Sequence, residues 1–241
     1  MLLSALALMA ATAPAMPWPL DGTKTLVAKA NYTFTSAKHI TSGLTEEWFS
    51  FESAPPHCNF RHRIQYFGTS GVITVTDPAK ETYTTTSFTN SSYVKQKCIV
   101  TDPAPLPPGK CINAIEAIGA QYTFSGVEAC PGSKSAYTCN VWINKGRFSP
   151  QQQLTITITY YFIVGTSTAV QYRVNSTSAV GSSDESILDF TEWSVNSPVP
   201  AGAWVTPPDW QPCTKPTSSS SLPTLSPPTA GLAAYHVSAL K

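Results

Sequence analysis

The side chains that could do chemistry are few, and their spacing does not favour catalysis. Four histidines occur, and no two of them have a spacing that would place a metal pair on one strand or helix face. His57 precedes Cys58, which suggests a Cys–His nucleophile, but a free thiolate would compete with disulfide formation in an oxidising compartment. Glu46 and Glu47 are neighbours on a predicted strand, so their carboxylates point to opposite faces and cannot flank one bond. The sequence therefore predicts a protein that is not an enzyme.

The densest acidic stretch is SSDESILDFTEW, residues 182–193. Asp184, Glu185 and Asp189 could supply oxygen ligands to calcium, which is the one cofactor that the sequence suggests. Their spacing is not that of an EF-hand loop, so a solvated strand edge is the interpretation that we favour.

Charge is balanced along the chain. The 15 basic and 14 acidic residues give a net charge of +1, without long runs of either sign. Because a nucleic-acid-binding surface needs clustered positive charge, we expect no nucleic-acid partner.

Residues 1–15 have the pattern of a signal peptide. MLLSALALMAATAPA is an apolar run that ends in Ala13-Pro14-Ala15, a small-x-small cleavage pattern, and it is too short to span a bilayer. No Lys or Arg precedes the run, so an anchored or buried N-terminal segment is the alternative. We expect a secreted protein, with a Pro-rich lead-in at residues 16–26.

Cysteines and glycosylation motifs agree with export. The chain has six cysteines, an even number, and no CxxC pair, which favours disulfides over zinc. Asn-x-Ser/Thr triplets begin at Asn31, Asn90 and Asn175 and are candidate N-glycosylation sites. Residues 214–241 are rich in Ser, Thr and Pro and are predicted to form a disordered tail that is a poor match to a glycolipid-anchor signal.

The body, residues 27–213, alternates apolar and polar side chains in short runs typical of antiparallel strands. Residues 109–119, GKCINAIEAIG, are the one helix candidate. Aromatic residues on both parities suggest one sheet curled around a ligand, whereas a two-sheet sandwich is the alternative that the pattern alone favours slightly.

The longest alternating run, residues 154–164, predicts an apolar face of unusual size. Its aligned side chains are chiefly aliphatic and Phe, which favours an enclosed apolar cavity over a sugar-binding platform of Trp and Tyr. A carbohydrate-binding module is therefore the weaker alternative.

The second half of the chain resembles ependymin-related secreted proteins. The motifs are YVKQKCIV, YTCNVWI, the long paired hairpin from residue 154, a Phe-x-x-Trp segment, and a Pro-Pro run that closes on a last Cys. The resemblance spans roughly residues 45–213. It implies a LolA-like half-barrel, a strongly bent antiparallel sheet whose hollow face one or two short helices cover. It also implies a secreted glycoprotein, often dimeric, linked to calcium and extracellular matrix, that holds a hydrophobic ligand.

The resemblance also implies site residues. A lipid or fatty acyl chain would contact a set of apolar side chains on the concave face: Ile156, Ile158, Tyr160, Phe162, Val170 and Tyr172. Cys98 and Cys213 stand where the family places a long-range bridge, and Cys111 with Cys130 is a guess within a variable segment. Cys58 and Cys139 complete the six. A calcium-dependent adhesion or matrix-interaction protein is the alternative function.

Overall fold

A computed structural model describes a large part of the chain. The described residues are 14, 16–17, 25–37, 40–52, 59–66, 70–77, 82–91, 94–100, 104–105, 122–148, 154–178, 181–206, 208–210 and 212–215. Most of the predicted signal peptide, the helix predicted at 109–119, Cys58, Cys111 and the tail beyond residue 215 lie outside them. Within the described ranges, no helix is long and apolar enough to cross a bilayer.

Twelve strands are described, together with two short 3-10 turns, Gly132–Lys134 and Pro208–Trp210. The strands are β1 (Thr25–Thr35), β2 (Ile40–Glu52), β3 (Asn59–Tyr66), β4 (Ser70–Asp77), β5 (Thr82–Ser91), β6 (Val94–Val100), β7 (Ala104–Pro105), β8 (Thr123–Ala129), β9 (Thr138–Phe148), β10 (Leu154–Ile163), β11 (Ala169–Thr177) and β12 (Ser183–Val195).

These strands form one sheet. Their order is β6-β5-β4-β3-β2-β1-β12-β11-β10-β9-β8, and β7 pairs with β5. Each neighbouring pair is antiparallel. The prediction of a mostly β protein with a single antiparallel sheet is confirmed, and the two-sheet sandwich is wrong for the described strands.

Two meanders meet in the middle of this sheet. The first runs outward from β1 to β6, and the second returns from β8 at the far edge to β12, which pairs with β1. Sequential antiparallel strands need only short connections, so the regular succession of short alternating runs leads directly to this topology.

Alternation along β1 defines the two faces of the sheet. Leu26, Ala28, Ala30, Tyr32 and Phe34 are buried in the main core and lie on what we call the inner face. The intervening Lys29 and Asn31 are exposed on the outer face. Since side chains alternate with a period of two, the register extends this assignment across the neighbouring strands.

The sheet curls toward its inner face. Tyr32 on β1 and Tyr66 on β3 are two strand spacings apart, which would be about 10 Å in a flat sheet, yet their ring centroids lie 5.2 Å apart. Inner-face residues of β1 to β3 and of β9 to β12 also pack into one buried cluster. The sheet is therefore bent toward this face, which is the half-barrel shape that the resemblance implied.

Two smaller groups of side chains pack on the outer face. Near the β8 edge, Val141, Tyr161 and Val170 pack around the disulfide between Cys130 and Cys139. Near β1 and β2, a second group places the segment 197–206 against the sheet, through Val27, Trp48 and Ala203 with Val199 and Trp204.

The disulfides partly match the expectations. Cys98 and Cys213 are bonded, as the resemblance implied, and Thr214 continues beyond this bridge to pair with Ile99 of β6. The guess that Cys111 pairs with Cys130 is wrong, because Cys130 is bonded to Cys139. This second bridge joins the end of β8 to the start of β9, two adjacent antiparallel strands whose pairing brings the cysteines together.

Candidate functional site

An aromatic cluster fills the inner face. It draws on β1, β2 and β3 from one meander and on β9 to β12 from the other, so it spans the junction between them. Ring centroids lie 5.2 Å apart for Tyr32 and Tyr66, 4.5 Å for Tyr160 and Tyr172, and 5.6 Å for Tyr122 and Tyr160. These separations are those of packed aromatic pairs. The inner face therefore has an aromatic surface with phenolic groups rather than a purely aliphatic one.

Small side chains lie at the centre of this face. Ala28 and Ala30 of β1 are buried, and each is flanked on β2 by a polar residue, Glu47 opposite Ala28 and Thr45 opposite Ala30. On the other side, Phe190 of β12 is opposite Ala30. The middle of the bent sheet thus combines short side chains with polar groups, between aromatic residues on either side.

A buried acid–base pair lies within the cluster. Nε2 of His62 on β3 is 2.9 Å from Oε1 of Glu47 on β2, and both residues are buried. The imidazole ring also stacks on Phe49, with centroids 4.2 Å apart. Buried charged groups are costly unless they are paired, so this contact accounts for how an acidic residue is accommodated here.

Two further polar groups on the inner face have no hydrogen-bond partner among the described residues. They are Oγ1 of Thr45 and Nε1 of Trp142, and both residues are buried. A buried polar atom without a partner costs about 1–3 kcal/mol, and most native structures avoid it. These atoms can therefore gain from any ligand that brings a hydrogen-bonding group.

Burial raises the pKa of the inner-face tyrosines. The pKa of Tyr32 rises to about 12, mainly because burial disfavours the phenolate. The pKa values of Tyr66, Tyr160 and Tyr172 lie well above the ordinary value for the same reason, and the charge of Glu47 raises them further. The phenols stay protonated and can donate hydrogen bonds over the physiological pH range.

The predicted ligand-binding residues divide between the two faces. Ile156, Tyr160, Phe162 and Tyr172 belong to the inner-face cluster, and Ile158 packs against it while partly buried. Val170 does not, because it lies on the outer face beside Tyr161.

A β-bulge explains the position of Val170. Tyr161 is opposite Gln171 and Phe162 is opposite Ala169, so Val170 is an extra residue in β11. An extra residue reverses the alternation, which places Ala169 on the inner face and Val170 on the outer one. The prediction that Val170 lies on the ligand face is wrong.

An open depression lies near the β8 edge and has a volume of about 390 Å³. Its lining residues are Thr123, Phe124, Ser125, Ile143, Asn144 and Lys145, and none of the predicted ligand-binding residues is among them. Ile143 packs against the outer-face group around Cys139. The depression adjoins the inner-face cluster through Phe124, which packs against it, and through Asn144, which is directly opposite Ile158 of β10.

The structure does not bring the predicted calcium ligands together. Glu185 and Asp189 are four residues apart on β12, which corresponds to about 13 Å along a strand. Arg173 lies 3.6 Å from Glu185, and Gln171 donates a hydrogen bond to Asp189. Among the described residues, no group of three or more His, Cys, Asp or Glu side chains is arranged to hold a metal ion. Asp184 is at the start of the same strand.

The predicted glycosylation sites all fall on strands. Asn31 is exposed in the middle of β1, and Asn175 is partly buried near the end of β11. Both alternate with inner-face residues and so lie on the outer face. Asn90 is in β5, where the structure describes the backbone but not the side chain.

Sequence reasoning missed Glu47 and His62. The available signal was that each residue stands two positions before an apolar residue that alternation predicts to be buried. Glu47 precedes Phe49, and His62 precedes Ile64. Charged or polar residues at such positions are expected to have partners. Only the β2–β3 register shows that they are partners of each other.

Comparison with known proteins finds chains of similar structure. No family model matches the chain, and no curated protein matches it. Structural neighbours include an outer membrane lipoprotein-sorting protein domain from Vibrio parahaemolyticus, with 7% identity and a TM-score of 0.33 over 77% of this chain and 91% of that one. A DUF1329 family protein from Desulfovibrio piger has 8% identity and a TM-score of 0.30, over 76% and 90% of the two chains.

A LolA superfamily protein from Nitrosomonas europaea has 10% identity and a TM-score of 0.23, over 77% of this chain and 91% of that one. TM-scores this low carry no inference about ligand or function. The fold class rests instead on the strand pairing, and membership of the ependymin-related family stays a prediction.

Proposed function

We propose that this chain is a secreted, non-catalytic glycoprotein that binds a hydrophobic ligand on the inner face of its curled sheet. The observation that carries the proposal is the composition of that face. One aromatic cluster extends across seven strands and contains buried polar atoms, on Thr45 and Trp142, that have no hydrogen-bond partner among the described residues. A core that serves only stability gains nothing from such atoms, whereas a binding face does.

The driving force would be burial of the ligand's apolar surface against the aromatic cluster. Each square ångström removed from water contributes about 25 cal/mol, so a long acyl or alkyl chain supplies most of the free energy of binding. Hydrogen-bonding groups within the cluster then fix the orientation of the ligand.

Secretion is supported by the cysteines. The described residues contain two disulfides, Cys98–Cys213 and Cys130–Cys139, and disulfides persist in oxidising compartments. The signal-peptide pattern and the three glycosylation motifs agree with this assignment. Calcium-dependent adhesion to extracellular matrix remains the alternative, although the carboxylates at Glu185 and Asp189 are far apart and contact other side chains.

The first experiment is native mass spectrometry of the secreted, deglycosylated protein, followed by extraction and identification of co-purified lipid. We expect a stoichiometric adduct in the lipid mass range. A clean mass of the protein alone, which persists after incubation with lipid vesicles, would contradict the proposal.

A matched pair of variants locates the site. Ile158→Lys places a charge at the partly buried edge of the inner-face cluster, whereas Thr157→Lys places the same charge on the outer face of the same strand. We expect the adduct to be lost only in Ile158→Lys. Circular dichroism and thermal melting of both variants separate loss of binding from loss of folding, and equal binding by both variants would overturn the assigned face.

A further inference from the structure

The distribution of charged side chains between the two faces of the sheet restricts the chemistry of the ligand. The positively charged side chains that the structure describes on the strands all occupy outer-face positions: Lys29, Arg61, Arg63, Lys145 and Arg173. Lys29 lies 3.1 Å from Glu192, and Arg173 lies 3.6 Å from Glu185, so two of them already have outer-face partners. The described part of the inner face therefore offers no guanidinium or ammonium group to an anionic ligand.

The charged groups described on the inner face are acidic or histidine. Glu47 and His62 lie in the aromatic cluster, and Asp184 occupies an inner-face position at the start of β12. Even with His62 protonated, its pair with Glu47 has no net positive charge. An anionic head group would be brought next to a carboxylate in a desolvated site, where like charges repel strongly.

A cationic head group fits no better. The carboxylate of Glu47 already contacts His62 at 2.9 Å, and a buried ammonium would lose its hydration without an unengaged counter-charge in the cluster. A hydroxyl group has neither problem, because it both donates and accepts hydrogen bonds. Glu47 can accept from it, and Thr45, two residues before Glu47 on the same face of β2, can donate or accept.

We infer that the ligand is an uncharged amphiphile whose polar group is a hydroxyl, such as a long-chain alcohol, a sterol or a neutral glyceride. This inference rests on the proposed function and specifies its ligand class. Glu47 is the residue that discriminates against an anionic head group, and the aromatic cluster binds the apolar portion.

The test compares four ligands that share one alkyl chain and differ in the head group: dodecanol, dodecanoate, dodecylamine and dodecane. Each is added at neutral pH to the delipidated, full-length secreted protein, and affinity is measured by native mass spectrometry and by displacement of a fluorescent apolar probe. We expect dodecanol to bind about tenfold or more tightly than dodecanoate and dodecylamine, because desolvation of a charged head group costs much more than desolvation of a hydroxyl. Dodecane should be weaker than dodecanol, since it leaves Oγ1 of Thr45 without a partner.

Two variants identify the cause of the preference. Glu47→Gln removes the negative charge and keeps hydrogen-bonding capacity, so dodecanoate should gain affinity relative to dodecanol. Glu46→Gln makes the same change at the neighbouring outer-face position and should leave the ratio as in the wild type.

The outcomes separate the two proposals. Binding of dodecanoate or dodecylamine as tight as that of dodecanol would overturn the inferred ligand class and leave the proposed function standing. Failure of all four ligands and of the probe to bind would overturn the proposed function itself. The wild-type rank order alone decides between these outcomes if Glu47→Gln does not fold.

Discussion

His62 on β3 contacts Glu47 on β2 across the inner face, with 2.9 Å between Nε2 and Oε1, and neither side chain reaches solvent to any large extent. The contact places a polar pair within an otherwise largely apolar surface. It is the feature that distinguishes this face from an ordinary β-sheet core, and it provides the first prediction.

Loss of one partner of this pair should cost more than loss of both. Glu47→Leu removes the carboxylate that His62 contacts in the buried cluster, and we expect the free energy of unfolding to fall by about 3 kcal/mol. The double variant Glu47→Leu/His62→Leu should recover much of this loss, because apolar groups of similar size fill the site. Chemical denaturation of Glu47→Leu, of His62→Leu and of the double variant measures the coupling energy between the two residues. Additive losses of stability would contradict the pairing.

The inner-face tyrosines predict a loss of stability at alkaline pH. The pKa of Tyr32 is raised to about 12 in the folded chain, and those of Tyr66, Tyr160 and Tyr172 are raised well above the ordinary value of 10.0. Above pH 10 the unfolded chain therefore releases protons that the folded chain retains, so stability is full below about pH 10 and falls as the pH rises toward the folded-state values. Each such phenol contributes a slope of about 1.4 kcal/mol per pH unit.

Ultraviolet absorbance during an alkaline titration measures this effect. The chain has ten tyrosines, and we expect at least four of them to ionise only together with the unfolding transition. The same titration in concentrated denaturant should show all ten ionising near the ordinary value. Ionisation of all ten near that value without denaturant would show that the inner-face phenols are accessible to water.

The two disulfides should differ in their contribution to stability. Cys98 and Cys213 are separated by 115 residues, and Cys130 and Cys139 by 9. On the loop-entropy model these bridges contribute about 4.8 and about 2.6 kcal/mol respectively. We expect Cys98→Ser/Cys213→Ser to lower the melting temperature more than Cys130→Ser/Cys139→Ser, and an opposite order would indicate that strain or residual structure dominates.

Disulfide mapping by proteolysis and mass spectrometry of the secreted protein tests the connectivity itself. Since the two described bridges use four of the six cysteines, we expect Cys58 and Cys111 to form the third pair. Detection of a Cys111–Cys130 peptide would contradict the described pairing.

Arg63 should fix the C-terminal segment 197–206 against the outer face. Its Nη1 donates to the carbonyl oxygen of Ala203 at 3.0 Å, its Nη2 donates to Gln65 at 2.6 Å, and its guanidinium lies 5.2 Å from the centroid of a Trp48 ring. Lysine retains the charge but lacks the planar fork that makes these contacts together. We therefore expect Arg63→Lys to lose about 1–2 kcal/mol of stability.

Limited proteolysis with mass spectrometric identification of the cut sites measures the local effect of Arg63. Cleavage within residues 197–206 should accelerate in Arg63→Lys. The matched variant Arg61→Lys changes an exposed residue on the same strand and face and should be cleaved at the wild-type rate.

Much of the fold follows from alternation, and the site residues that were misplaced show where alternation is insufficient. Polar and apolar residues alternate along most of β1, and its apolar residues are the buried ones. Alternation counted from Tyr172 agrees with the wrong face that the resemblance implied for Val170, since the bulge opposite Tyr161 and Phe162 has no distinctive residue that marks it. A bulge depends on how two strands fit, which neither strand's own sequence reveals.

Pairings across strands were equally inaccessible to sequence reasoning. The contact between Glu47 and His62 depends on the register of β2 with β3, and the bond between Cys130 and Cys139 depends on that of β8 with β9. The Cys98–Cys213 bridge could be predicted because a resemblance in motif order, rather than local pattern, supplied it.

The outer face provides the last prediction, through Asn31 and Leu44. Asn31 of β1 is directly opposite Leu44 of β2, and the Leu44 side chain is 66% exposed. Directly opposite residues on one face are close enough for their side chains to touch, so a glycan on Asn31 would cover Leu44. We expect Asn31→Gln to lower the soluble yield of the secreted protein by exposing this apolar residue.

Adding Leu44→Ser should restore the yield, whereas Val205→Ser, which removes another exposed apolar residue remote in sequence from Asn31, should not. Light scattering of the purified variants measures aggregation directly. If Asn31→Gln is as soluble as the wild type, or if mass spectrometry shows Asn31 without a glycan, the proposed role of this site is wrong.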